Sequence, residues 1–214
     1  MAPKHKFTRD EMVAAALDLV KERGEGDLTA KALATMLGIS TQPVFTCFGT
    51  MDALRADVTD AAEALFDRYA SEGLAASVPF YGFGMAYIRF ARENPEIYRM
   101  LFLSAGGKNA ALRAMEHAQA AVQPSLMHIY RLSAADADRY FRDVWLAVHG
   151  LAALIVTDSC PYTEEQVGHI LTGISVSVYK AIREIPGYTE DAFDRDGVFR
   201  RLLDAPIRSG GAED

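Results

Sequence analysis

Apolar residues recur at helical spacing along nearly the whole chain, and no run of strict apolar–polar alternation suggests a strand. Met12, Ala15, Ala16 and Leu19 repeat behind Thr8-Arg9-Asp10-Glu11, which has the capping-box form, and Gly24 ends this first predicted helix. Leu33, Ala34 and Leu37 mark a second helix, capped by Thr29 and ended by Gly38, which adopts a left-handed turn at little cost. Ser40 is the expected cap of a third, with Pro43 in its first turn and Ile39, Val44 and Phe48 turned inward. Gly49-Thr50-Met51 then supplies a turn and a new cap. A long helix from about Thr50 to Glu72 follows, with Leu54, Val58, Ala61, Ala62, Leu65, Phe66 and Tyr69 on one broad face.

The helical pattern continues after a break at Gly73 to Pro79. Pro79 opens a helix carrying Phe83, Tyr87, Phe90 and Ala91, and Asn94-Pro95 stops it and starts a short segment through Ile97, Tyr98, Leu101 and Phe102. Gly106-Gly107 ends that piece. Ala110 to Leu132 reads as a long helix with Pro124 as a kink, Ser133 caps another to about Thr157, and Thr163 with Gln166 forms a capping box before a last long helix to about Arg183. Beyond Pro186 a turn or two around Phe199 to Leu203 is expected. The reading is all-α.

Thr29 to Phe48 reads as a helix-turn-helix, which sets one short helix in the DNA major groove. From Thr8 to Leu54 the order of features resembles the TetR family of bacterial regulators: the opening helix, Leu28-Thr29, Ala34, Gly38-Ile39-Ser40, the Phe45 and Phe48 pair, and Leu54. The resemblance implies an N-terminal three-helix DNA-binding domain over 1–54, with its motif at about 29–48. A connecting helix over about 50–72 and a larger ligand-binding and dimerisation domain over 73–214 complete the expected organisation. Thr29, Ala30, Lys31, Ser40, Thr41, Gln42, Pro43, Phe45, Thr46 and Met51 are the DNA-contacting residues it implies.

Two positions depart from the family pattern. Phe45 stands where the family usually has Tyr and Met51 where it has Lys, so each lacks a phosphate donor. From Ile39 to Thr50 there is no Lys or Arg, which leaves Lys4, His5, Lys6, Arg9 and Lys31, with backbone N–H groups at helix starts such as Ala30 and Thr41, to meet the phosphates. Residues 1–60 hold seven basic against nine acidic side chains, and the 214-residue chain has net charge −7, so any basic surface is local. An alternative expectation is therefore a TetR-like ligand-binding or interaction module with weakened or lost DNA binding.

Asp143 to Val156 and Val167 to Val178 are apolar nearly all round, and Gly150, Ala152, Ala153, Gly168, Gly173 and Ser177 permit close helix approach. A helix apolar on every side requires burial on every side. The segment from Trp145 to Ala152 also resembles the C-terminal domain of TetR-type proteins, which implies a homodimer through the final helices. The family further implies a small apolar or amphipathic effector in the middle of the chain and release of a repressor from a pseudo-palindromic double-stranded DNA operator. Phe66, Tyr87, Phe90, Tyr98, Phe102, Met115, His117, Trp145 and His149 are the candidate ligand residues.

No Gly-rich phosphate loop, Gly-x-Ser-x-Gly or His-Glu-x-x-His is present, so no enzyme, metal or cofactor is expected. The absence of a signal-like or membrane-spanning apolar run sets the expected location as the cytoplasm, without a membrane partner. There Cys47 and Cys160 stay unpaired.

Overall fold

Side-chain caps fix where the helices begin. The computed structural model describes residues 7–104 and 110–204, the side chains of 110–114, 117 and 202 excepted. Among the described residues there are ten α-helices and no strand. They are α1 (Arg9–Arg23), α2 (Ala30–Leu37), α3 (Gln42–Phe48), α4 (Met51–Leu74) and α5 (Pro79–Glu93). Then come α6 (Pro95–Tyr98), α7 (Ala110–Ile129), α8 (Ala134–Val156), α9 (Glu164–Glu184) and α10 (Arg195–Asp204).

Thr8 Oγ1 accepts from the Glu11 N–H at 3.2 Å while the Glu11 carboxylate accepts the Thr8 N–H at 2.8 Å, closing the capping box of α1. Thr163 and Gln166 do the same for α9. Thr29, Thr50 and Ser133 each accept a backbone N–H at the starts of α2, α4 and α8. Gly38, at φ 66°, ends α2 in the left-handed region.

The start of α3 differs from expectation. Thr41, not Ser40, is its N-cap; it has helical dihedrals and makes no side-chain capping bond. After Gly38 the chain spends Ile39 and Ser40 in the turn, and the first carbonyl to accept a helical bond is that of Thr41, from Phe45 N–H at 3.2 Å.

Met12, Ala16, Leu19 and Val20 of α1 are buried with Leu33 of α2, Val44 and Phe48 of α3, and Leu54 and Val58 of α4 in one continuous core. That core extends through Ala62 and Phe66 of α4 into the layers formed by α5, α7, α8 and α9. Near the end of α4 its backbone lies directly against α5: a Cβ on Gly73 would sit 2.5 Å from the Gly82 carbonyl oxygen. Only glycine allows this approach.

Past α6 the chain widens into a π-helical turn, Arg99–Leu103, which buries Met100, Leu101 and Phe102. Pro124 lies within α7. After α9 the turn segment is tied back onto α8. Arg139 pairs with Asp143 at 2.6 Å and with Asp191, its guanidinium lies 4.3 Å from the Tyr188 ring centre, and the Tyr188 hydroxyl donates to Asp143 at 3.1 Å.

Candidate functional site

Two short helices, α2 and α3, meet across the Gly38–Thr41 turn at one end of the molecule, both held against α1. Val44 and Phe48 anchor α3 inward, which leaves Thr41, Gln42, Phe45 and Thr46 exposed on its other side. Phe45 retains 45% of its surface. Ser40, Thr29 and Lys31 are also exposed, Pro43 is half-buried, and Ala30 is buried at the start of α2. Ile39, expected inside, is half-buried. Met51 is half-buried against the core, at the first position of α4.

Among the described residues the cations around this surface are few. Arg9, expected as a phosphate donor, is exposed and pairs within the protein. Its Nε lies 2.7 Å from Asp57, one terminal nitrogen donates to the Cys47 carbonyl at 2.9 Å, and the guanidinium stacks 4.6 Å from the Phe48 ring centre. Arg55 pairs with Asp52 at 3.2 Å. Lys4, His5 and Lys6 lie outside the described residues.

The aromatic residues expected around a ligand form a packed cluster. Phe66 meets Tyr87, Phe90 and Phe102 edge-on at 5.2–5.5 Å between ring centres, and Tyr98 meets Phe102 at 4.9 Å. At its edge the hydroxyls of Tyr87 and Tyr98 both lie 2.9 Å from His149 Nδ1, and the His149 ring stacks on Trp145 at 4.9 Å. In the Nε2–H tautomer of His149 the Nδ1 offers one lone pair, so Tyr98 donates to it and Tyr87 donates to Tyr98 across the 3.3 Å gap between the two hydroxyls. Burial holds His149 below its ordinary value and pushes both tyrosines above theirs, so all three are uncharged at neutral pH. Met115 is half-buried against the core, and the His117 side chain lies outside the described residues.

An apolar cavity sits one helical turn away, between α5, α8 and α9. Phe80, Phe83, Gly84, Trp145, Val148 and Leu171 line it, with Ser175 at its margin already bonded to the Tyr140 hydroxyl. Its volume is about 20 Å³, room for one water. Of the expected ligand residues Trp145 lines this space, whereas Phe66, Tyr87, Phe90, Tyr98 and Phe102 fill their own with one another. Phe80, Gly84 and Leu171 were not anticipated; the signal available was Phe80, Phe83 and Gly84 at one-turn spacing on α5. No charged side chain lines the cavity.

On the far side of α8 and α9, Leu146, Leu154 and Val176 are exposed, Leu146 by 58%. Between them Gly150 and Gly173 are open: a Cβ on either would meet nothing within 4 Å. No helix among the described residues is long and apolar enough to cross a membrane, and no group of three metal-ligating side chains is found among them.

Residues 80–171, from α5 into α9, match the family model of the tetracyclin repressor-like C-terminal domain. The resemblance to the TetR family is borne out over this segment, and the all-α architecture is borne out among the described residues. No curated protein matches the chain.

Proposed function

We propose that this protein is a transcription regulator that binds double-stranded operator DNA in the cytoplasm as a homodimer. Residues 1–54 form its helix-turn-helix domain and 73–214 its effector and dimerisation domain. The observation that carries the reading is the exposed α3 face, Thr41, Gln42, Phe45 and Thr46, held on a rigid three-helix core at the head of a TetR-type regulatory domain. Thr29, Lys31, Ser40, Pro43, the Ala30 N–H and the Met51 edge of α4 flank that face and meet the backbone.

The exposed apolar faces of α8 and α9, open at Gly150 and Gly173, are the dimer surface. The effector occupies the cavity beside Trp145. Because that cavity holds about one water, a ligand of any size must part α5 from α8 and α9. α5 packs along α4, and α4 begins beside α3, so a ligand that prefers the parted state changes the separation of two α3 helices in a dimer. That mismatch releases the operator, which makes the protein a repressor relieved by an uncharged apolar effector. Trp145 is the single tryptophan of the chain, so its fluorescence reports occupancy.

A specific observation favours a second reading. With Arg9 occupied and no Lys or Arg from Ile39 to Thr50, the phosphate contacts are depleted, as in a ligand-binding or interaction module that has lost its operator. Binding of Gln42→Ala to selected and to random duplexes separates the two. The regulator reading expects loss of sequence preference worth about 1–3 kcal/mol with bulk binding retained; no measurable duplex binding by the parent protein supports the module.

A further inference from the structure

The side chains on α3 carry a restricted chemical vocabulary. Between Ile39 and Thr50 no arginine or lysine is present to fork onto guanine O6 and N7, and no aspartate or glutamate to accept from cytosine N4. The Thr46 hydroxyl donates its proton to the Gln42 carbonyl at 2.9 Å, so toward a base it can only accept. Thr46 thus presents its methyl group and an acceptor oxygen, and no donor for guanine O6 or N7. Phe45, 45% exposed, presents an uncharged ring. Gln42, exposed, presents one acceptor and a pair of donors on its amide.

Gln42, Phe45 and Thr46 are related by three and four residues, so they share one side of α3 with Cβ atoms about 5–6 Å apart. Base pairs stack about 3.4 Å apart, so three such groups fall on the same or neighbouring pairs. Resting on the DNA-binding reading above, we infer that α3 is a reader of A·T pairs: Gln42 bonds adenine N6 and N7, and Phe45 with Thr46 contacts the C5 methyl of an adjacent thymine. Phe45 is thus a specificity residue, and the hydroxyl it lacks is not missed at the base edge. An apolar contact with a methyl group disfavours guanine and cytosine at that step, since neither offers one.

The test uses the full chain and duplexes enriched from a randomised library at low salt. Each thymine in the shared half-site core is then replaced by deoxyuridine, which removes the C5 methyl and leaves base pairing intact. At the contacted thymine the parent protein should lose about fourfold in affinity, the worth of one buried methyl group. Phe45→Ala, at an exposed position, should keep its melting temperature and bind the thymine and uracil duplexes equally. Enrichment of a G·C core, equal binding of thymine and uracil duplexes by the parent, or full thymine preference in Phe45→Ala would each overturn the assignment while leaving DNA binding standing. Failure to enrich any duplex would overturn the DNA-binding reading and this inference together.

Discussion

Arg9 and Asp57 lie 2.7 Å apart, joining the first residue of α1 to the first third of α4 across the end of α3. The same guanidinium bonds the Cys47 carbonyl and covers the Phe48 ring, so one side chain clamps three helices. Arg9→Leu is therefore expected to lower the melting temperature and leave the salt dependence of DNA binding unchanged. A phosphate-contacting arginine would behave the other way, reducing the slope by about one unit at constant stability.

Gly82 and Gly84 stand two residues apart on α5 and make opposite predictions. A Cβ on Gly82 would press into the Gly73 carbonyl oxygen of α4, which is backbone and has no rotamer to move. Gly82→Ala should cost about 1–3 kcal/mol in denaturant unfolding as α4 and α5 are forced apart. At Gly84 the added carbon meets Val148 at 3.6 Å and Leu171 at 3.9 Å, ordinary contact at the cavity wall. Gly84→Ala should be neutral or stabilising by up to about 1 kcal/mol, through lower chain entropy in the unfolded state.

His149 sets a pH dependence of known sign. Burial lowers its folded-state value below the ordinary 6.5, so on acidification the unfolded chain takes up the proton first. The stability tied to this group is complete well above pH 6.5 and falls as the pH drops through and below that value. Thermal melts at pH 7.5, 6.5 and 5.5 should show a steeper acid loss in the parent than in His149→Phe. Parallel curves would show that His149 ionises as freely inside the protein as outside.

Much of this fold is legible in the sequence because its signals are local. Thr8 with Glu11 and Thr163 with Gln166 sit three residues apart and make both capping boxes, and Thr29, Thr50 and Ser133 cap where expected. What local pattern leaves unread is long-range. Arg9 reaches Asp57 from 48 positions away, so its charge looks free in the sequence. The apolar periodicity that marks Phe66, Tyr87 and Phe102 as interior says nothing about whether they enclose space or fill it. Ring-to-ring packing fills it here, and the small cavity forms one turn away, where Gly84 leaves out a side chain opposite Val148. The shift of the α3 cap from Ser40 to Thr41 has the same origin, since two chemically similar capping residues stand side by side and the geometry of the turn decides between them.

The faces of α8 and α9 predict an assembly. Gly173→Glu and Leu146→Glu place charges where the monomer has open surface, so each variant should keep its helix content and melt cooperatively. In sedimentation velocity the parent should run as a dimer and both variants as monomers, because an unpaired carboxylate is costly to bury at an apolar interface. A dimer that survives both changes would place the contact on another surface.

The central claim is that two copies present their α3 helices to paired half-sites on one duplex. Selection of random-sequence DNA at low salt by the full chain, followed by sequencing, tests it most directly. The account predicts an enriched inverted repeat with half-site centres one helical turn apart, about 34–36 Å, or a whole multiple of that distance. A pool that stays random after selection, or converges on an isolated half-site without a mirrored partner, would contradict it.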